Sequence, residues 1–262
     1  MEFINLKESF GRCHRVYFEL SRKCPSIHEH PACPIAELKK EFDGFLDTDI
    51  ILDFVKQLVK YESPCDISFH IYNEPTIDCR LLYLIHKIKH HLGFKNKMAL
   101  RTSGWGLDKH VFKELTDMGL DWIMLDAYNE KSYNEMRAVK NEFQKSDVAI
   151  QIKKLILDNR LTMYQNRVRT LDDWVKDNDI EFYCIEAIKT FNVSANGEVN
   201  LCEWDWRNTV IFGNLNKDSY ETVFRNKIEF FNKTKEGTRF GAEVCAKCEY
   251  LRGFKPTHKS SV

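Results

Sequence analysis

Short apolar runs alternate along this chain with stretches in which apolar residues recur every three or four positions. Val16-Tyr17-Phe18-Glu19-Leu20 is a β-prone run that stops just before Cys24. Between Asp47 and Tyr61, the residues Ile51, Phe54, Val55 and Leu58 share one face of a helix, the spacing of a buried amphipathic stripe. Ile67-Ser68-Phe69-His70-Ile71-Tyr72 reads as a second strand, and Leu81, Leu84, Ile85, Ile88 and Leu92 as a second helical stripe closed by Gly93, a residue type that caps helices at their C-terminus. Met98–Thr102 is a third strand, Leu107, Val111, Leu115 and Met118 mark a third helix before Gly119, and Trp122–Asp126 is a fourth strand. Strand and helix repeating at roughly 25–30 residues predicts βαβ units on a parallel sheet. Periodicity alone leaves a barrel and an open doubly wound sheet both open.

After residue 150 the pattern changes. Ala149-Ile150-Gln151-Ile152 is a candidate fifth strand, and the polar stretch from Asn159 to Asp173 carries no assignable period. Phe191–Ser194 and Glu198–Cys202 flank Asn196-Gly197, a β-hairpin signal. A helix over about Tyr220 to Lys233 and the tail Cys245-Ala246-Lys247-Cys248 follow. No internal repeat interrupts this order.

Hydrophobic residues make up 43% of the 262 residues and charged residues 30%, the composition of a globular chain. Lys plus Arg and Asp plus Glu are balanced at 39 each, so neither nucleic acid nor an anionic membrane is an expected partner. No apolar run approaches the roughly 18 residues of a membrane span, and the N-terminus lacks a signal-peptide pattern. A soluble, cytoplasmic protein is expected. No Gly-x-Gly-x-x-Gly follows the first strand and no Gly-Lys-Ser/Thr loop is present, which removes support for the common nucleotide folds.

Cysteine changes the picture most. Nine is an odd number, and without a secretory signal such cysteines read as thiols or metal ligands, not as a disulfide framework. Cys184, Cys202, Cys245 and Cys248 could surround a tetrahedral zinc or a [4Fe–4S] cluster, and thiolate softness does not choose between them. A zinc-stabilised binding module without catalysis is therefore one reading. The N-terminal frame runs Cys24-Pro25-Ser26-Ile27-His28-Glu29-His30-Pro31-Ala32-Cys33, directly after the first strand. His70-Ile71-Tyr72-Asn73-Glu74-Pro75 ends the second strand, and Thr102-Ser103-Gly104 the third.

A cysteine loop after strand one, a Gly-Gly-Glu-Pro-like segment after strand two and a Thr-Asn-Gly-like segment after strand three resemble the layout of radical S-adenosylmethionine enzymes. The tail, with Cys184, Asn196-Gly197-Glu198-Val199 leading to Cys202, Phe212-Gly213-Asn214-Leu215 and Cys245-Ala246-Lys247-Cys248, is similar to the auxiliary-cluster twitch domain, a shortened SPASM domain. The resemblance runs from about residue 14 to 252. It implies an α/β fold with a partial (β/α)6 barrel over residues 1–160, followed over residues 161–262 by a small cluster-binding domain of β-hairpin and helix. It also implies S-adenosylmethionine and two [4Fe–4S] clusters as cofactors.

The family loop has three cysteines, whereas this chain has Cys24 and Cys33 with eight residues between them. The third ligand is expected to be His30, with His28, Cys13 or Cys65 as alternatives; imidazole in place of thiolate raises a cluster's potential. Tyr72, Asn73 and Glu74 would hold the methionine part of the cofactor, the carboxylate suiting its ammonium group, and Ser103 and Asp126 its ribose. The second cluster would take Cys184, Cys202, Cys245 and Cys248. The resemblance puts Arg167, in Asn166-Arg167, at an active-site position, where a guanidinium suits a substrate oxygen or carboxylate better than it suits proton abstraction; a salt bridge tying the two domains is the alternative.

The implied reaction is reductive cleavage of S-adenosylmethionine to a 5′-deoxyadenosyl radical, hydrogen abstraction from substrate, and oxidation with the auxiliary cluster as electron acceptor. The substrate would be a sugar or aminocyclitol alcohol, and the electron source a reductant such as flavodoxin or ferredoxin. Modification of a ribosomal precursor peptide, by epimerisation or cross-linking, is the alternative. The short segment before the first strand tilts the expectation toward the small molecule.

Overall fold

In the parallel strands, apolar residues occupy alternate positions and polar residues the positions between. Since successive side chains of a strand point to opposite faces, such a pattern makes one face of the sheet apolar and the other polar. The computed structural model describes residues 4–29, 33–35, 38, 40, 42–143, 148–154, 185–233 and 243–246. Its strands are β1 (Arg15–Phe18), β2 (Asp66–Ser68), β3 (Met98–Thr102), β4 (Trp122–Ala127), β5 (Ala149–Lys154), β6 (Thr190–Val193), β7 (Glu198–Asn200) and β8 (Ile211–Asn214). Between and around them lie α1 (Leu6–Gly11), α2 (Thr48–Lys60), α3 (Leu81–His86), α4 (Lys109–Asp117), α5 (Glu130–Glu142), α6 (Ile185–Lys189), α7 (Tyr220–Lys233) and α8 (Glu243–Ala246).

These strands form one sheet in the order β5-β4-β3-β2-β1-β6-β7-β8. The expected parallel α/β architecture holds from β5 to β1, each neighbouring pair being parallel. The sixth parallel strand among the described residues is β6, the first strand of the expected hairpin, and it pairs with the far side of β1 from Arg15↔Thr190 to Phe18↔Val193. That edge of β1 would otherwise present unpaired backbone groups. β7 and β8 then add antiparallel. The tail thus continues the barrel sheet instead of forming a separate one.

Val16, Phe18, Ile67, Phe69, Met98, Leu100, Ile123, Leu125, Phe191 and Val193 are buried in the main core. The registers Tyr17↔Ser68, Ser68↔Ala99, Arg101↔Met124, Asp126↔Lys153 and Tyr17↔Asn192 set the intervening side chains on the opposite face. Tyr17, Ser68, His70, Arg101, Asp126 and Asn192 therefore share a polar face opposite the main core, and all but Arg101 are buried.

The core runs without a break from barrel to tail. Phe54, fully buried on α2, meets Phe10 at 5.6 Å, Phe18 at 5.7 Å, Phe191 at 5.6 Å and Tyr220 at 5.7 Å between ring centroids. Edge-to-face and tilted geometries of this kind add to the area term.

Three local departures from the sequence expectation have physical causes. β2 ends at Ser68 rather than Tyr72: Phe69 N–H still bonds Ala99 O at 3.1 Å, but Asn73 Oδ1 then accepts the Ile71 N–H at 3.1 Å and turns the chain out of the sheet. α3 widens into a π turn over Lys87–His91 before Gly93, which has φ +68° and so takes the expected capping conformation. α5 escaped prediction because, among its side chains, Met136 alone is buried. Its local signal is the capping box, in which Asn129 and Ser132 satisfy each other's backbone N–H groups.

Phe54→Ala removes the ring at the centre of this cluster. It is expected to lower the unfolding free energy by about 3–5 kcal/mol in denaturant titration, with barrel and tail still melting together. A loss below about 1 kcal/mol would show that the two parts do not share a core.

Candidate active site at the carboxyl ends of the parallel strands

In parallel α/β sheets the loops at the carboxyl ends of the strands converge, and chemistry gathers there. The loop after β1 opens with Cys24, the cap of a 3-10 turn over Pro25–His28. Cys24 and Cys33 are both half-buried. Burial pushes the Cys24 thiol up to about 12, and the negative charges of Glu74, Cys33 and Glu29 add to the rise. A thiol in this setting becomes a thiolate when a cation takes the proton's place. His28 is exposed at the end of the turn. The expected third ligand, His30, lies outside the described residues.

Glu74 knots the three loops together. It is 2% exposed, and its N–H donates to Lys23 O at 2.9 Å, joining it to the cysteine loop. Its Oε1 accepts the Thr76 N–H at 3.2 Å, the Thr76 hydroxyl at 2.8 Å and the Thr102 hydroxyl. Its Oε2 accepts the Ser103 N–H at 2.7 Å and the Ser103 hydroxyl. Ser103 Oγ also lies 3.0 Å from Ser26 Oγ, which returns the network to the cysteine loop. Gly104, at φ +82°, directs its N–H to Thr102 Oγ1 at 2.9 Å.

The other predicted cofactor residues surround this knot. Asn73 spends its Oδ1 on the local turn, and its buried Nδ2 has no hydrogen-bond partner among the described residues. Asp126, 4% exposed, accepts a bond from Arg101 Nε through Oδ2, while its buried Oδ1 has no partner among the described residues. Tyr72 donates its hydroxyl to Glu203 O, so the second-strand loop touches the residue next to Cys202. Tyr128 belongs to the same group: burial raises its pKa, and the charges of Asp126, Cys33 and Cys24 raise it further.

Burial also raises the carboxyl pKa of Glu19, despite the Arg22 guanidinium beside it. Its Oε2 accepts the Ala195 N–H at 2.9 Å, another link between the end of β1 and the hairpin. His70 is buried, with Nδ1 2.9 Å from Ser68 Oγ and its ring edge-on to Tyr17.

Among the described cysteines the structure makes one correction to the sequence expectation. Cys13 and Cys65 precede β1 and β2 and lie Sγ to Sγ at 2.9 Å, at the amino end of the sheet. They are thereby removed as third ligands of a site that contains Cys24 at the carboxyl end. Cys202 and Cys245 both pack on the main core. Cys184, Cys248 and Arg167 lie outside the described residues. Among the described residues no three His, Cys, Asp or Glu side chains form a ready metal site; each described cysteine pair is short of the partners expected for it.

The residues present fit the groups that the motifs imply. Asn73 Nδ2 is a buried donor suited to a carboxylate and Asp126 Oδ1 a buried acceptor suited to a hydroxyl, and neither has a partner among the described residues. The sequence reading missed Arg101, Tyr128, Thr102, Thr76 and Ser26. Alternation along β3 and β4 would have flagged Arg101 and Tyr128, since each is out of phase with the apolar stripe.

Comparison with known proteins supports the same picture. Residues 184–249 match SPASM, an iron-sulfur cluster-binding domain. The chain is 23% identical over 218 residues to the S-adenosyl-L-methionine-dependent 2-deoxy-scyllo-inosamine dehydrogenase of Niallia circulans, covering 82% of this chain and 85% of that protein. Among solved structures it is similar to BtrN in complex with AdoMet and 2-DOIA, with a TM-score of 0.67 and 20% identity over 90% of this chain and 92% of that one. It is also similar to anSMEcpe with bound AdoMet, with a TM-score of 0.58 and 14% identity over 92% of this chain and 84% of that one. The resemblance carried by the loop motifs therefore extends to the fold and to the C-terminal domain.

Glu74→Gln places an amide N–H₂ among five donors. It is expected to lower stability by about 1–3 kcal/mol and to weaken S-adenosylmethionine binding at least about tenfold, equivalent to about 1.4 kcal/mol, by thermal melts and calorimetry. Unchanged stability would show that the carboxylate does not hold the three loops.

Proposed function

We propose that this chain is a radical S-adenosylmethionine oxidoreductase that dehydrogenates a hydroxyl of a small polar molecule, a sugar or aminocyclitol. The observation that supports this reading best is the pair of buried, unpartnered polar atoms, Asn73 Nδ2 and Asp126 Oδ1, beside the two cysteines of the first loop. The similarity to a dehydrogenase of that cofactor and substrate class over 82% of the chain agrees with it. When bound, the cofactor and clusters supply a hydrogen-abstracting radical and an electron acceptor.

The remaining work falls to the chain's own groups. Cys24, Cys33 and His30 hold the first cluster, and Cys184, Cys202, Cys245 and Cys248 the second. Asn73 Nδ2 donates to the cofactor carboxylate, Glu74 takes its ammonium in exchange for a hydroxyl donor, and Ser103 and Asp126 hold its ribose. The polar face made by Tyr17, Ser68, His70 and Asn192 offers the mixed donors and acceptors that polyol hydroxyls require. Arg167 holds a substrate oxygen.

In this division residues 1–160 bind the cofactor and residues 161–262 the auxiliary cluster. A cytoplasmic flavodoxin or ferredoxin delivers the reducing electron. No helix among the described residues is long and apolar enough to cross a membrane.

The test is iron, sulfide and zinc per chain after anaerobic reconstitution, on the unsubstituted protein, His30→Ala and His28→Ala. About eight irons are expected for two clusters, falling to about four in His30→Ala with loss of 5′-deoxyadenosine formation, while His28→Ala keeps both. About four irons in all three proteins would remove the first cluster and the radical chemistry with it. One zinc and no iron would leave the non-catalytic binding module. Turnover of a peptide, with none of an aminocyclitol or sugar, would transfer the reading to peptide modification.

A further inference from the structure

Cys13, Cys65 and Cys79 belong to neither proposed cluster. Cys79 is exposed, whereas Cys13 and Cys65 are buried. Both buried residues are free thiols, and their sulfur atoms lie 2.9 Å apart. A disulfide forms at about 2.05 Å, so the bond requires less than about 1 Å of further approach. The other contacts of the two thiols are backbone carbonyls, Arg15 O at 3.7 Å from Cys13 Sγ and Asp66 O at 3.4 Å from Cys65 Sγ.

The backbone holds these two thiols against each other. Cys13 N–H donates to Phe10 O at 3.1 Å, and the Ser63 hydroxyl donates to the same carbonyl at 2.6 Å. Ser63 Oγ in turn accepts the Cys65 N–H at 3.3 Å, so one hydroxyl ties both cysteine segments. On the following side, Asp66 N–H donates to His14 O at 2.9 Å, and Asn96 Nδ2 donates to Cys65 O at 3.1 Å. The pair is thus fixed before and after each sulfur. Access is unequal. A cavity of about 420 Å³ between α1 and α7 has Cys13 in its wall, while Cys65 is absent from its lining. The same lining includes Glu8 and Arg12, whose side chains are exposed, so the cavity opens to solvent.

We infer that Cys13 and Cys65 are a modification site, a thiol pair that a hydroperoxide converts to a disulfide stapling the amino ends of β1 and β2. Cys13 attacks a peroxide oxygen through the cavity. The O–O bond breaks, leaving a sulfenic acid on Cys13 and releasing water. The Cys65 sulfur then attacks the Cys13 sulfur, and the sulfenic oxygen leaves as a second water with the Cys65 proton. Two thiols lose two electrons and two protons, and one hydrogen peroxide takes them to become two waters. The link lies at the opposite end of the sheet from Cys24, Glu74 and Ser103, so it leaves the cofactor loops in place. Joining residues 52 positions apart restricts the unfolded chain and so stabilises the fold under oxidising conditions. The inference does not rest on the proposed function.

The experiment titrates the reconstituted full chain with hydrogen peroxide, blocks the remaining thiols with N-ethylmaleimide and maps its peptides without reduction. A Cys13–Cys65 linked peptide is expected to outweigh every other cysteine pair at least about tenfold, and dithiothreitol to release it. The thermal midpoint of the linked protein is expected to lie at least about 4 °C above that of its dithiothreitol-treated form. In Cys65→Ala the reaction is expected to stop at the Cys13 sulfenic acid, which dimedone labels, and the rise in midpoint to vanish. Where Cys65→Ala does not fold, the peptide map of the parent decides alone. Both thiols recovered unlinked at every dose that leaves the chain folded would overturn the inference, as would a link that appears only after unfolding. Neither result touches the proposed function.

Discussion

One carboxylate holds the site together. The loops after β1, β2 and β3 have no regular ladder beyond the strand ends, and Glu74 links all three by donating its N–H to Lys23 and accepting from Thr102 and Ser103. Ser26 closes the circuit through Ser103. A buried carboxylate has to be saturated with donors, so the loops are confined to the one arrangement that brings five of them to it. The position of Cys24 relative to Asn73 and Asp126 follows from that confinement. A metal or cofactor ligand on a loop is only as well placed as the bonds behind it allow.

The sheet supplies the second constraint. Parallel pairing puts residues of the same phase on the same face from β5 across to β6, and the helices claim the apolar face. The opposite face collects the polar residues Tyr17, His70, Arg101, Asp126 and Asn192. Because β6 is both the last parallel strand and the first strand of the hairpin, the tail is tied to that face by backbone hydrogen bonds. Glu19 to Ala195 and Tyr72 to Glu203 add side-chain ties at the mouth.

Much of this was legible in the chain. The strand and helix periods, the Asn-Gly turn, the glycine at the end of α3 and the cysteine spacing are local, and local patterns survive translation into structure because backbone period and burial are coupled residue by residue. Glu74, Asn73, Ser103 and Asp126 could be named because the loop motifs resemble those of a known family, even though β2 ends four residues before its apolar run does. What the tertiary structure decided was everything that depends on partners distant in sequence. The pairing of β6 with the open edge of β1, the exclusion of Cys13 and Cys65 by their place at the wrong end of the sheet, and the bond from buried Lys227 to Thr190 O all depend on contacts between distant segments. Such contacts are set by which edges and faces remain unsatisfied once the whole sheet is assembled, and no window along the sequence contains that information.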